Sequence, residues 1–180
     1  MNTTSQPQTA FFSLDVEADG PCPGLYSMIS FGLVDIFDNR KTFYGELRPI
    51  SEQYVPEALA VSGFSRDECM KFDDPATTMK KMNDFLLPYS GRKVIFSDNP
   101  GFDWQFLNYY AHKYLGKNPF GHSARRIGDL YAGASGNWRN DSQWKKYRTT
   151  KHTHNALDDA LGNAGAIEKI LSFMKHNKKV

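Results

Sequence analysis

Short apolar runs, each bounded by turn residues, dominate the first half of the chain and recur beyond it, and they predict β-strands. The predicted strands cover residues 10–17, 26–37, 41–50, 92–98 and 125–130. The Asp-Asn-Arg sequence at 38–40 is a turn signal between the second and third runs. These two strands should therefore form a hairpin.

Apolar residues at helical spacing predict the helices. Residues 74–90 start with Asp74 as N-cap and Pro75 in the first helical position. A helix over 101–116 should end at Gly116. Two short helical pieces are expected between Val55 and Phe72, one after Pro56 and one after a break at Gly63. The long closing helix over 155–177 has one apolar face, which consists of Ala156, Ala160, Ala164, Ile167 and Leu171.

The order of the elements predicts an α/β fold. Three strands come first, followed by helix and strand, helix and strand, and a last helix. A mixed five-stranded sheet with helices on both faces is the simplest arrangement, as a single domain over residues 10–177. Residues 137–154 are polar and basic and should be irregular. Residues 1–9 are polar and lack the basic start and apolar middle of a signal peptide, so they are expected to be a disordered leader.

Composition indicates a soluble globular protein. The chain has 180 residues, of which 40% are hydrophobic and 23% are charged. The net charge of +2 gives no global basic field, so a nucleic-acid partner would have to bind a local patch. Cys22 and Cys69 show no metal-binding spacing and are expected to be free thiols in a reducing compartment. Without an apolar run of about 18 residues, no membrane span is predicted, and a cytoplasmic location is expected.

Acidic residues fall at the ends of predicted elements, where ligands collect in α/β proteins. They are Asp15 and Glu17 at the end of the first strand, Asp103 in a first helical turn, and Asp158 and Asp159 after His154. Because Asp15 and Glu17 are two residues apart in a strand, they share a face and repel each other unless a cation lies between them. Several carboxylates can hold two Mg²⁺ or Mn²⁺ ions about 4 Å apart, which suits displacement at phosphorus. The ordinary alternative is that these acids are solvated at a strand end, or that they interact favourably with a helix dipole.

Three segments resemble the motifs of the DEDDh group of 3′–5′ exonucleases, which includes RNase T, oligoribonuclease and the proofreading subunit of bacterial DNA polymerase III. They are SLDVEADG at 13–20, SDNPGFDWQFL at 97–107 and HNALDDA at 154–160, in the order of the family. The resemblance implies an RNase H-like fold and 3′–5′ hydrolysis of single-stranded nucleic acid ends. The loop ADGPCPGLY at 18–26 is most similar to that of a small bacterial branch of exoribonucleases, which favours RNA.

The resemblance also implies roles for individual residues. The implied ligands of two Mg²⁺ or Mn²⁺ ions are Asp15, Glu17, Asp103 and Asp159, and the implied general base is His154. The H-x-A-x-x-D spacing selects Asp159, so Asp158 is expected to be a helix-start charge or a solvent-facing residue. Ala18 stands where the family often has Thr near the terminal nucleotide, and Asn99 belongs to the second motif.

Candidate substrate contacts lie close to these motifs. Leu25, Tyr26 and Met28 follow the first motif, and Phe64 resembles the segment over the terminal base in relatives. For Met28 and Phe64 the alternative is packing in the core. Lys146 and Arg148 lie in the basic, aromatic stretch WKKYRTTKH before His154 and are candidates for the phosphate backbone. A solvated run of charge is the alternative for that stretch.

The function predicted from the sequence is two-metal 3′–5′ hydrolysis that releases nucleoside 5′-monophosphates from single-stranded RNA. A single-stranded DNA 3′–5′ exonuclease of the proofreading or repair type is one alternative. A non-catalytic nucleic-acid-binding module on the same fold is the other. Since relatives are often homodimers, a homodimer is expected as well.

Overall fold

Five strands form one mixed sheet in a computed structural model that describes residues 8–177. The strands are β1 (Ala10–Ala18), β2 (Met28–Asp35), β3 (Thr42–Glu46), β4 (Lys93–Ser97) and β5 (Ala124–Arg126). Their spatial order is β3-β2-β1-β4-β5. β2 is antiparallel to β1 and β3, while β4 is parallel to β1 and β5. The predicted hairpin and the mixed five-stranded sheet are therefore confirmed, whereas most of the expected leader, residues 1–7, lies outside the described residues.

Six α-helices and one 3₁₀ helix surround the sheet in the described part of the chain. They are α1 (Pro56–Val61), α2 (Arg66–Cys69), α3 (Pro75–Phe85), α4 (Pro100–Leu115), α5 (Ile127–Ser135), the 3₁₀ helix (Gln143–Tyr147) and α6 (Ala156–Asn177). The Asp74 side chain accepts a hydrogen bond from the Ala76 amide at 2.9 Å and so caps α3. Gly116 ends α4 with φ of 71° in the left-handed region that favours glycine. Over residues 8–177, no helix combines the length and apolar character that a membrane crossing requires.

The two faces of β1 point into different surroundings. Phe12, Leu14 and Val16 are buried in a core under α3 and α4. Phe11, on the opposite face, packs against a second core that includes α5 and α6. Asp15 and Glu17 have the parity of Phe11, so both carboxylates face the side of the sheet on which α6 lies. A register irregularity directly after Glu17 then changes the pairing of β1 with β2.

The stretch 125–130 was predicted to be a strand, and most of it is a helix. β5 ends at Arg126, and α5 begins at Ile127. Ile127, Leu130, Tyr131 and Ala134 all pack in the second core. Their spacing of three and four residues is helical. The segment therefore folds as a helix, because a helix places these apolar side chains on one side and buries them against α6.

Gly32 lets α6 approach the sheet closely. A Cβ atom at this position in β2 would lie 2.5 Å from the carbonyl oxygen of Ala156 and 2.7 Å from Cα of Leu157. These are backbone atoms of the first turn of α6, which carries Asp159 two residues later. A larger residue at position 32 would therefore push this turn away from β1.

We expect Gly32→Ala to lower the free energy of unfolding by about 1–3 kcal/mol, because backbone atoms have to move. Gly133→Ala is the matched control, since a Cβ there meets no atom of the described chain within 4 Å. It should be neutral or stabilising by about 0.5–1 kcal/mol, because alanine favours helix. Urea unfolding of both variants tests the expectation, and equal stabilities would contradict it.

Candidate active site

Three carboxylates meet between β1 and α6. Asp15, Glu17 and Asp159 each offer an oxygen, and these atoms all lie within 4.8 Å of one another. Asp159 is fully buried, while Asp15 and Glu17 are partly buried. Strand periodicity brings the first two together, and the close packing of α6 on Gly32 brings the third.

Asp103 lies next to these three carboxylates in the first turn of α4. It is 5% exposed, and its Oδ1 accepts a hydrogen bond from the backbone amide of Val16 at 3.0 Å. Val16 is the residue between Asp15 and Glu17, so this bond fixes α4 to the acidic end of β1. All four carboxylates selected in the sequence therefore converge.

The clustering of acids in a buried place raises their pKa values. Burial, and then the charges of Asp103 and Glu17, raise the pKa of Asp15 well above its usual value. Burial and the charge of Asp159 raise the pKa of Glu17 to about 8. Burial raises the pKa of Asp103 to about 7, although the Val16 amide works against that rise. These carboxyl groups are costly to ionise together and would ionise readily beside a cation.

Asp159 makes four close polar contacts, three of them with groups that donate hydrogen bonds. Arg148 Nη2 lies 2.5 Å from Oδ1, and the amide of Thr153 donates to the same oxygen at 3.1 Å. His152 Nδ1 lies 2.7 Å from Oδ2, and the amide of His154 donates to that oxygen at 2.9 Å. The loop before α6 thus wraps the carboxylate and fixes its orientation.

His154 lies at the outer edge of the site. Its side chain is exposed, and its φ of 58° is the one positive value for a non-glycine residue within residues 8–177. Asn155 follows, and its Oδ1 accepts from the amides of Leu157 at 3.0 Å and Asp158 at 3.2 Å, which caps the start of α6. Asp158 is exposed to solvent, as expected. The two neighbouring acids therefore have opposite environments, and Asp159 is the one inside the site.

The predicted substrate contacts differ in accessibility. Leu25 is half exposed, Tyr26 is partly buried, and Asn99 and Lys146 are exposed. Met28 is fully buried and Ala18 nearly so, both in the core under α3 and α4. The prediction of a base contact through the Met28 side chain is therefore wrong, because a side chain without exposed surface cannot meet a base.

Phe64 and Arg148 also lie differently from the sequence prediction. Phe64 is partly buried and packs edge-on against Phe72, with ring centroids 5.0 Å apart. Arg148 was a candidate for the phosphate backbone, but its side chain is only 10% exposed and is paired with Asp159. Arg148 and Lys146 therefore have different environments, since the Arg148 guanidinium is buried against a carboxylate and Lys146 is exposed.

Two features of the site were missed in the sequence. His152 was not selected as a site residue; its side chain is exposed, and it contacts Asp159 directly. Asp19 is fully buried and accepts hydrogen bonds from the Ser27 amide at 2.5 Å and from Arg66 at 2.6 Å, which holds the loop after β1 against α2. The one available signal for Asp19 was its position two residues after Glu17 within the first motif, and no sequence pattern pointed to Arg66.

Comparison with known proteins supplies the family. No protein-family model matches the chain. The 3′-5′ DNA exonuclease Cap18 of Escherichia coli is 36% identical over an alignment of 180 positions, which covers 94% of this chain and 95% of that protein. The chain belongs to the DEDDh family of 3′–5′ exonucleases. The predicted family is confirmed.

Solved structures support the same fold for this DEDDh exonuclease. The nuclease domain of 3′hExo, a DEDDh family member bound to rAMP, superposes with a TM-score of 0.72 at 19% identity, over 91% of this chain and 92% of that one. Exonuclease I of E. coli in complex with a dA16 oligonucleotide superposes with a TM-score of 0.66 at 12% identity. That alignment covers 94% of this chain and 43% of that one. The RNase H-like fold expected from the motifs is thereby confirmed.

Proposed function

We propose that this DEDDh family member is a metal-dependent 3′–5′ exonuclease that removes nucleoside 5′-monophosphates from single-stranded nucleic acid. The observation that carries the proposal is the group formed by Asp15, Glu17 and Asp159, whose oxygens lie within 4.8 Å of one another. Acids in this arrangement repel each other, and their raised pKa values indicate a site that needs cations. Oxygen-only ligands favour Mg²⁺ or Mn²⁺.

The residues fit such a metal site and define its chemistry. Asp15, Glu17, Asp159 and the adjacent Asp103 would hold two Mg²⁺ or Mn²⁺ ions. When bound, such ions lower the pKa of water and neutralise charge at the phosphate and at the leaving oxygen. Their number and identity are part of the proposal.

His154 supplies the proton-transfer step. Its exposed imidazole takes a proton from the attacking water as general base. The water oxygen forms a bond to phosphorus, the bond from phosphorus to the 3′ oxygen breaks, and the terminal nucleotide leaves with its 5′-phosphate. The 3′ oxygen takes up a proton from solvent, so the shortened strand carries a 3′-hydroxyl and can enter the next cycle.

Substrate contacts would come from the exposed residues around this site. Leu25 and Asn99 are exposed and Tyr26 is partly exposed, so these three are candidates for the terminal nucleotide, whereas Ala18 is nearly fully buried. Lys146 is exposed, and its Nζ lies 5.2 Å from the centroid of the Tyr147 ring. Because its charge is accessible, Lys146 can bind a phosphate. Phe64 and Arg148 would take part only if their present packing changes.

We propose DNA as the preferred substrate. The relative at 36% identity is named a DNA exonuclease, and it matches nearly the full length of this chain. The RNA preference taken from the loop after the first motif stays a prediction and is the second candidate. Recognition of the sugar depends on a protein group at the 2′-hydroxyl, which family membership alone does not define.

An assay with 5′-labelled single strands tests the function and the sugar preference together. DNA and RNA oligomers of one sequence, about 20 nucleotides long, are incubated with Mg²⁺, with Mn²⁺ or with a chelator. We expect a ladder that shortens from the 3′ end, needs a divalent ion and runs at least about tenfold faster on DNA. Faster loss of RNA would favour the second candidate, and binding without shortening would favour a non-catalytic module.

A further inference from the structure

A second set of metal-ligand atoms lies on the outer side of Asp159. His152, His154 and Asp159 each offer a ligand atom, and these atoms lie within 4.8 Å of one another. The two imidazole rings have centroids 4.2 Å apart, and His152 Nδ1 is 2.7 Å from Asp159 Oδ2. This set contains two imidazole groups, one of them from His152, which lies outside the three exonuclease motifs. It therefore differs in composition from the set of four carboxylates.

The donor atoms of this second set select a different class of cation. Two imidazole nitrogens and one carboxylate oxygen are typical of Zn²⁺, Co²⁺ and Ni²⁺ sites, with a fourth position open to water. Mg²⁺ prefers oxygen ligands and is bound poorly by imidazole. The outer set therefore favours a transition-metal ion, and the carboxylates favour the catalytic ions.

Hydrogen bonds to Asp159 and the exposure of the two histidines favour binding of an ion at the outer set. Arg148 and the Thr153 amide hold Oδ1 of Asp159, while Oδ2 accepts from the His154 amide and lies 2.7 Å from His152 Nδ1. Hydrogen bonds of this kind orient carboxylate ligands in metal sites. Both histidine side chains are exposed, so an ion arrives from solvent and replaces the proton shared by His152 and Asp159 with only side-chain movement.

Asp159 belongs to both sets and couples them. An ion on the outer set draws on the same Asp159 carboxylate that joins Asp15 and Glu17, and it occupies the imidazole of His154. We propose that His152, His154 and Asp159 form an inhibitory transition-metal site, at which Zn²⁺ binds and opposes Mg²⁺-supported hydrolysis. The inhibitory effect rests on the proposed exonuclease function, whereas the binding of Zn²⁺ does not.

Direct binding tests the site without any activity measurement. Zn²⁺ is titrated calorimetrically into the metal-free protein, and Co²⁺ is followed by its visible absorption, which reports nitrogen ligation. We expect one Zn²⁺ ion per chain, at least about tenfold weaker affinity for His152→Gln, and nearly unchanged affinity for Glu17→Gln. Unchanged affinity of His152→Gln, or loss of binding in Glu17→Gln alone, would place Zn²⁺ on the carboxylates and overturn the proposal.

Inhibition is measured separately, with each variant compared with its own rate in Mg²⁺ alone. Zn²⁺ should slow the wild-type protein, and the concentration that halves the rate should rise at least about tenfold in His152→Gln. Equal inhibition of both proteins would contradict the regulatory role even if Zn²⁺ binds at the outer set. If neither protein cleaves nucleic acid, the proposed function fails, while the calorimetric and Co²⁺ results still decide the site.

Discussion

Asp15→Asn is expected to reduce metal-dependent strand shortening by at least about 10³-fold and to stabilise the metal-free protein. The lost carboxylate removes several kcal/mol of charge stabilisation at the reacting phosphate, and each 1.4 kcal/mol changes the rate about tenfold. The free energy of unfolding of the metal-free protein should rise, because without a bound cation a charge at position 15 is unfavourable. Burial and the nearby Asp103 and Glu17 raise the pKa of Asp15, so the folded chain gains when that charge is removed.

Two other aspartates provide the controls. Asp158→Asn changes an exposed residue beside the site and should leave the rate within about threefold, because exposed charges contribute little. Asp159→Asn should also abolish shortening, but it should lower the stability of the metal-free protein. It takes a charged partner from Arg148, whose side chain is only 10% exposed.

The measurements are cleavage rates on the labelled oligomers and urea unfolding in chelator. The informative result is the contrast between Asp15→Asn and Asp159→Asn, which share a loss of activity and differ in the sign of the stability change. An Asp15→Asn protein that retains wild-type turnover would remove Asp15 from the metal site. One that is inactive but less stable would mean that repulsion among these acids is small.

The parts of the site that follow a period or a fixed spacing could be predicted from the sequence. Asp15 and Glu17 share a strand face because side chains alternate, and H-x-A-x-x-D spacing separates buried Asp159 from exposed Asp158. Asp103 was recognised because it falls in the first turn after a strand. For the strand pair local geometry limits where the side chains can point, whereas Asp103 and Asp159 were assigned as ligands through the resemblance to the family motifs.

The parts that depend on loop conformation could not be predicted. His152 and Arg148 contact Asp159 because the chain between the 3₁₀ helix and α6 folds over the carboxylate, and a run of polar residues carries no signal for that path. Met28 failed for a different reason. Its position close to the first motif suggested a base contact, but the register of β2 turns the side chain into the core, where it is fully buried.

The stability of the metal-free protein is expected to fall as the pH rises from about 4.5 to about 8, and divalent ions should reverse the fall. In the folded chain the pKa of Glu17 is about 8 and that of Asp103 is about 7, against ordinary values of 4.5 and 3.8. The folded protein therefore holds protons that the unfolded chain has already released. A raised pKa of this kind stabilises the folded protein fully at pH values below the pKa of the group in the unfolded chain. The stabilisation is lost as the pH rises through the pKa of the group in the folded protein.

The loss should amount to several kcal/mol across this window, since one pKa unit corresponds to about 1.4 kcal/mol. Added Mg²⁺ binds the ionised carboxylates and stabilises the folded state by mass action, so it should raise the melting temperature strongly near pH 8 and little near pH 5. Thermal unfolding with and without Mg²⁺ at both pH values measures this. Glu17→Gln should flatten the pH dependence, because it removes a group that titrates near pH 8. A Mg²⁺ effect of equal size at both pH values would mean that the ion binds away from these acids, because only carboxylates that ionise within the window can couple its binding to pH.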